Sequence, residues 1–580
     1  MITKIYLKGF KSFEDPIIAD VNDLTVIAGS NSCGKSSLIQ ALLLLSQTLE
    51  NPRPEVALDL GGRFVQFAEF KEAVFGRPKN IDASFIIGFD LDIEEKDIRD
   101  ADVFFQKYSR RFFSSTQSNT SFVLNKASIR ICFRVSQSGT PLIAFAQYEK
   151  KVANVGTYNF TFIRRRKNNK ISYKFIPQNK EASEISEKIK SFSDNFKEAF
   201  REVIKLPTRS SNLKVIDVDP LKILEGMSPS NFDVVFERAM NYIFFSLPGS
   251  KARQLISESK SMLTEFQELS FSIPISRSSI IQSQFDHFLF SPPTRHATDS
   301  DEAYYFERFN KEFGEVENEV KRFLQSIQYI GPLRAKPERA YLSTGTPIEI
   351  GNAGENAVPI LWVNQKEKVI NKTKIGEPVK EQTLEDAVKS WLGEFGIASE
   401  FHITKPKRVI YQAEMESAPG SNVMVTIADV GFGVSQLLPV IVAGLWAKKG
   451  STLILEQPEI HLHPRLQGKL ADFLICLAEL DKKVIVETHS EHLINMLRLR
   501  IIQDESEQLQ KHIGIIFVKS REQIPTGKQE IKKQGSYIEN LKVDEYGKIT
   551  NWPPDFFPES SQIDKDILRA MLDKSIKQKK

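Results

Sequence analysis

The chain has 580 residues, 41% hydrophobic and 26% charged, ordinary proportions for a globular protein of two or more domains, or of one domain with a large insertion. A formal net charge of +4 is too small to argue for nucleic-acid binding by the whole surface, and three scattered cysteines (Cys33, Cys132, Cys476) exclude a disulfide framework. The N-terminus has no apolar signal core. The best apolar run, Leu437 to Ala447, contains Pro439 and is too short to span a bilayer, so a cytoplasmic protein without membrane attachment is expected.

Taken in order, Leu24 to Ala28 reads as a buried strand and Leu38 to Leu45 as a helix. Between them Gly29 to Ser37 (GSNSCGKSS) matches the phosphate-loop spacing G-x-x-x-x-G-K-[ST]. In such a loop the backbone N–H groups of Asn31, Ser32, Cys33, Gly34 and Ser37 turn toward phosphate oxygens. The Lys35 ammonium neutralises them, and the Ser36 hydroxyl holds Mg²⁺. Cys33, placed among these N–H groups, is expected to be an exposed thiol with a stabilised thiolate. From Ile81 to Ile176 the pattern changes to period two, with antiparallel strands expected at Ser84 to Ile93, Ser128 to Val135, Leu142 to Tyr148 and Tyr158 to Arg164. Helical spacing dominates from Glu181 to about Gln328, for example Phe309, Phe313, Val316, Val320 and Phe323.

Residues 151 to 180 hold eight Lys and Arg and no Asp or Glu. Arg164, Arg165, Arg166, Lys167 and Lys170 crowd the expected tip of one hairpin, with Asn168 and Asn169 at the turn. Clustered cations of this kind neutralise nucleic-acid phosphates. They equally make a solvated hairpin that deters edge pairing.

After Tyr329 alternating α and β signals return and run to about Val518. Asp429 to Gln436 (DVGFGVSQ) is a glycine-rich turn entering a helix, a place where N–H groups and the helix dipole favour an anion. Ser451 to Glu459 (STLILEQPE) is an apolar strand ending in carboxylates, and Lys483 to Val486 is another, closing in Glu487, Thr488, His489 and Ser490. The sequence thus expects five parts. Residues 1 to 80 carry the phosphate loop, 81 to 180 an antiparallel β lobe, 181 to 328 a mainly helical insertion, 329 to 519 the returning α/β part, and 520 to 580 a tail.

This ordered set resembles the ABC-type ATPases of the SMC, RecF and OLD group. More narrowly, YIGPLR (Tyr329 to Arg334), GENA (Gly354 to Ala357), EQPEIHLHP (Glu456 to Pro464), ETHSEHLINMLRLRI (Glu487 to Ile501) and GKITNWPPDFF (Gly547 to Phe557) resemble a bacterial OLD-like subgroup that includes ATPases of the Septu and retron defence systems. The resemblance implies an α/β ATPase head, a RecA-like core with an antiparallel β lobe, interrupted by the helical insertion. It implies ATP and Mg²⁺ as cofactors, with Lys11 and Ser12 of GFKSF near the nucleotide. Glu456 would be the Walker B acid, Gln66 a Q-loop metal contact and His489 the switch histidine. Ser435, with Gln436 beside it, would belong to a signature turn that touches ATP on a second protomer, making a head-to-head homodimer or a higher even oligomer. Further implied partners are nucleic acid and a separately encoded effector such as an HNH or other nuclease, in antiphage defence. A RecF-like repair ATPase and a scaffold that binds ATP without turning it over are the alternatives.

Two departures stand out. OLD relatives carry a C-terminal Toprim nuclease, but the D-x-D after His489 here, Asp564 to Asp566, follows no apolar strand, so this chain is expected to lack that activity. The position after the Walker B acid, a glutamate in most ABC-type sites, is Gln457. An amide cannot take a proton from water, so Glu459 and Glu487 become the candidate surrogate bases and hydrolysis is expected to be slow.

Overall fold

The computed structural model describes residues 1–50, 56–78, 83–96, 122–136, 139–152, 156–164, 171–175, 300–342, 349–407, 410–521, 535–549, 567–572 and 574. The chain divides into two compact units. The smaller holds Met1, Asp90–Cys132 and Ile143–Glu319, and the larger Ile2–Phe89, Phe133–Leu142 and Val320–Lys580.

The elements begin with strands β1 (Ile2–Lys8), β2 (Ile17–Asp20) and β3 (Leu24–Gly29) and helix α1 (Lys35–Glu50). The period-two region becomes β4 (Ser84–Lys96), β5 (Phe122–Val135), β6 (Pro141–Val152), β7 (Gly156–Arg164) and β8 (Ile171–Phe175). Each of the four expected strands is present and longer than its sequence pattern. In the smaller unit β6 and β7 pair antiparallel from Phe145 opposite Ile163 to Val152 opposite Gly156, and β7 and β8 from Phe160 opposite Phe175 to Arg164 opposite Ile171. Arg165, Arg166, Lys167 and Lys170 lie outside the described residues, as does most of the expected helical insertion; Arg164 is described by its backbone alone. Helix α2 (Ser300–Gln325) carries the expected stripe, with Phe313, Val316, Val320 and Phe323 buried.

The returning α/β part runs β9 (Ile327–Ile330), β10 (Tyr341–Leu342), α3 (Ala357–Asn364), β11 (Lys368–Asn371), β12 (Lys380–Thr383) and α4 (Leu384–Glu394). It continues through β13 (Phe401–Lys407), β14 (Ile410–Glu416), β15 (Met424–Thr426), α5 (Phe432–Trp446), β16 (Thr452–Glu456) and α6 (Pro464–Ala478). It closes with β17 (Lys483–Glu487), α7 (Glu491–Gln503), α8 (Leu509–His512), β18 (Ile513–Ser520) and β19 (Ser536–Leu541). Among the described residues no helix is long and apolar enough to cross a membrane.

One sheet of the larger unit positions everything that follows. Its order is β19-β18-β3-β17-β16-β9, parallel except where β19 pairs with β18. All six residues of β3 are buried, as a parallel strand covered on both faces requires. This is why LTVIA shows no alternation. Residues far apart in sequence become neighbours at the C-terminal ends of these strands. Glu487 lies opposite Ile27 of β3 on one side and opposite Glu456 of β16 on the other. The phosphate loop leaves β3 at the same end, the crevice where open α/β sheets bind ligands.

Candidate nucleotide site

The loop after β3 is shaped by close approach. Gly34 has φ +101°, and a Cβ there would run into the Ser12 hydroxyl; a Cβ on Gly29 would meet the Val518 carbonyl and the Cys33 sulfur. Only glycine lets these segments touch. Lys35 opens α1, is 4% exposed, and donates from Nζ to the carbonyls of Gly29 (3.1 Å) and Ser30 (2.6 Å). Ser36 donates its hydroxyl to both oxygens of Glu487, at 3.2 and 3.0 Å. The Ser12 hydroxyl donates to that of Ser37 at 3.2 Å.

A cavity of about 970 Å³ opens over this loop. It brings together Lys11, Ser12, Asn31, Ser32, Gly34, Lys35, Ser36, Ser37, Gln457, Glu487 and His489 of the residues expected from sequence. Lys11, at φ +49°, sits with its ammonium 4.9 Å from the centre of the Phe67 ring. Burial lowers the pKa of Lys11 and of Lys35, and Arg77 lines the same wall. Gln457 reaches the cavity through a left-handed turn, φ +45°, with its main-chain amide donating to the Glu487 carbonyl at 2.7 Å. Burial, and secondarily Lys35, lowers the pKa of His489, favouring the neutral imidazole.

Burial shifts both acids beside the cavity in the same direction. Glu456 is 8% exposed, and burial first, then the neighbouring Glu487, pushes its pKa up to about 7; the Tyr329 hydroxyl, donating to it at 3.0 Å, opposes the rise. Burial also raises the pKa of Glu487, while the Ser36 hydroxyl and Lys35 pull it back. Burial and the Glu456 charge hold the Tyr329 phenol protonated. Ser36 and Glu487 line the cavity, while Glu456, opposite Glu487 on the neighbouring strand, does not; hard oxygen donors of this kind beside a cationic phosphate loop suit Mg²⁺ with a nucleotide polyphosphate.

Several expectations need correction or relocation. Cys33 is not an exposed thiolate: it is 1% exposed, and burial raises its pKa, because its side chain turns in under Gly29 while its backbone makes the loop. Gln66 is exposed, bridged to Gly61, and outside the cavity wall. Glu459 is buried and spends one oxygen on the His489 amide at 2.8 Å, so it does not face the cavity as Glu487 does. Ser435 and Gln436 lie inside α5, 5% and 2% exposed, and do not line this cavity. His463 caps α6, its Nδ1 accepting from the Arg465 amide at 3.3 Å.

Sequence reasoning missed Gln40, Glu72, Val74, Gly76 and Arg77, which also line the cavity, and the supporting pair Tyr329 and Arg334. The last two were legible in YIGPLR as a motif without a role. The loop carrying Glu72 to Arg77 reaches the site through tertiary bonds, Lys11 N–H to the Ala73 carbonyl and Phe75 N–H to the Gly9 carbonyl, that no local pattern announces.

The sequence profile of a family described as "AAA ATPase domain" matches residues 1–494. The chain belongs to that family, which supports ATPase activity in general. No curated protein matches the sequence. Solved structures with a likeness to it include the Smc head domain with an extended coiled coil bound to the C-terminal domain of ScpA, from Pyrococcus furiosus, at 12% identity, covering 93% of this chain and 96% of that one with a TM-score of 0.34. The SMC head domain from Thermotoga maritima gives 9% identity, coverage of 93% and 99%, and a TM-score of 0.30.

The Glu456 environment sets a pH dependence. The unfolded carboxyl loses its proton near its ordinary value of 4.5, whereas the folded one keeps it to about 7. Between those limits the folded state binds more protons, so stability falls as pH rises. Thermal unfolding of the metal-free protein should therefore show wild type losing stability relative to Glu456→Gln from about pH 4.5 to about pH 7. Parallel curves for the two proteins would show that Glu456 is not held protonated by the fold.

Proposed function

We propose that this chain binds ATP with Mg²⁺, dimerises head to head when ATP is bound, engages nucleic acid and controls a separately encoded effector such as an HNH or other nuclease. The observation that supports the nucleotide reading best is the convergence of Lys35, Ser36, Gln457, Glu487 and His489 on one cavity. Defence against phage as the setting rests on the likeness of YIGPLR, EQPEIHLHP and ETHSEHLINMLRLRI to the OLD-like subgroup.

In this reading Lys35, Lys11 and Arg77 hold the phosphates, and Ser36 with Glu456 and Glu487 holds the metal and its water shell. The bound Mg²⁺ supplies charge neutralisation on the phosphate oxygens. Gln457 orients water by hydrogen bonding without accepting its proton. Of the two candidate surrogate bases, Glu487 is the one that lines the cavity, which makes it the better placed acceptor; its bond to Ser36 competes with that role. Slow turnover and a long-lived ATP-bound dimer follow. Gln457 also favours a second reading, in which ATP acts as an assembly ligand and is scarcely hydrolysed.

Lys35→Ala should abolish binding of a fluorescent ATP analogue and ATP-dependent dimerisation, seen by light scattering, in protein whose circular dichroism is unchanged. Wild-type affinity in that folded variant would sink the site assignment.

Single-turnover hydrolysis separates the two readings. Gln457→Glu should speed the step and Glu487→Gln should slow it, within the roughly 10²–10⁴-fold that general-base assistance supplies. No measurable hydrolysis in wild type and in Gln457→Glu alike would favour the assembly reading.

The nucleic-acid partner is tested by salt. Replacing Arg164, Arg165, Arg166 and Lys167 by alanine should flatten the log–log salt dependence of duplex binding by about 0.9 for each phosphate the variant no longer neutralises. Unchanged affinity and slope would leave the hairpin a solvated one.

A further inference from the structure

Two buried charges stand next to the cavity without lining it. Arg334 is 7% exposed, and its Nη2 donates to the main-chain carbonyls of Glu456 at 3.1 Å and Gln457 at 3.3 Å. Glu459, also 7% exposed, accepts the main-chain amide of His489 at 2.8 Å. Each therefore grips the backbone of a residue whose side chain faces the cavity. The remaining donors of Arg334, Nε and Nη1, are buried without a protein hydrogen-bond partner. Groups so buried are tolerated only where hydrogen bonds offset their desolvation, and here those bonds go to the main chain. Burial lowers the Arg334 pKa to about 10 and raises that of Glu459, a rise opposed first by the His489 amide and the Thr488 hydroxyl and least by the Arg334 charge.

The backbone they hold is not at rest by itself. Gln457 has φ +45°, a conformation a side-chain-bearing residue leaves unless its surroundings enforce it. Its amide bonds to the Glu487 carbonyl and its carbonyl accepts from Ile460, so the turn is tied to β17 and to the segment leading into α6. Arg334 supplies the third tie, from a segment more than a hundred residues upstream.

We propose that Arg334 and Glu459 are positioning residues, two separately bonded buried side chains that fix the main chain at Gln457 and His489 so that both side chains face the cavity. This assigns a role to the arginine of YIGPLR and replaces Glu459's candidacy as a base. The turnover arm of the test rests on the ATPase reading above, while the structural arm is independent of it.

The test uses the full chain and its variants Arg334→Met and Glu459→Leu, with Arg334→Lys and Glu459→Gln as conservative counterparts that keep a donor or an acceptor. In hydrogen exchange without nucleotide, Arg334→Met should accelerate the amides of Gln457 and Ile460, and Glu459→Leu that of His489, each by about tenfold or more, with β3 and α1 unchanged. The conservative variants should restore most of the protection, and they also serve if a disruptive one does not fold. Turnover should fall by about tenfold in kcat with affinity for a fluorescent ATP analogue within about twofold, the mark of a contact that acts after binding. Unchanged exchange at these amides, or faster exchange spread evenly over the chain, overturns the proposal. If wild type hydrolyses no ATP while the local exchange changes appear, positioning stands and the hydrolytic reading falls.

Discussion

Keeping two buried carboxylates side by side next to the cavity is the constraint on which the rest of this site depends. Parallel pairing of β16 and β17 sets Glu456 opposite Glu487, on strands about 4.8 Å apart. Two such charges repel and each is costly to desolvate. The neighbours answer that cost one by one. Ser36 donates to Glu487, Tyr329 donates to Glu456, and Lys35 lends its charge to the Glu487 side. The Ser36 bond ties the end of β17 to the phosphate loop, and the Tyr329 bond ties the ends of β9 and β16 to each other.

Glycine and arginine solve the opposite problem, backbone that must sit where chains do not ordinarily sit. Gly34 allows the loop against Ser12, and Arg334 holds Gln457 in its left-handed turn. A neutral amide at position 457 also relieves the crowding: a third carboxylate there would stand beside Glu487, whose carbonyl already takes the Gln457 amide. An amide at this position is the sequence feature that most separates this chain from the usual ABC-type pattern.

Much of the fold was legible because parallel α/β sheets write their plan locally. Buried parallel strands read as apolar runs, so LTVIA, TLILE and KVIVE stood out, and each ends in the residues that meet at the cavity. The β lobe was equally plain from its alternation. The burial of individual site residues was not. Cys33 defeats a reading from sequence because loop position says nothing about which way a side chain turns, and Gln66 because the cavity wall near it is assembled by tertiary bonds. Glu459 and Glu487 look alike as acids near strand ends; only the bond from the His489 amide distinguishes the one turned inward.

By itself the sequence determined the phosphate loop, the strands that frame it, the order of the partner motifs and the absence of a glutamate at position 457. These follow from composition, spacing and period, properties of contiguous segments. Tertiary structure alone decided that Glu456 and Glu487 are neighbours, that Glu456 holds its proton to about pH 7, and that Arg334 and Tyr329 serve the same corner. The reason is strand order: inserting β17 between β3 and β16 is a choice made by packing, and it places side by side groups that no spacing rule connects.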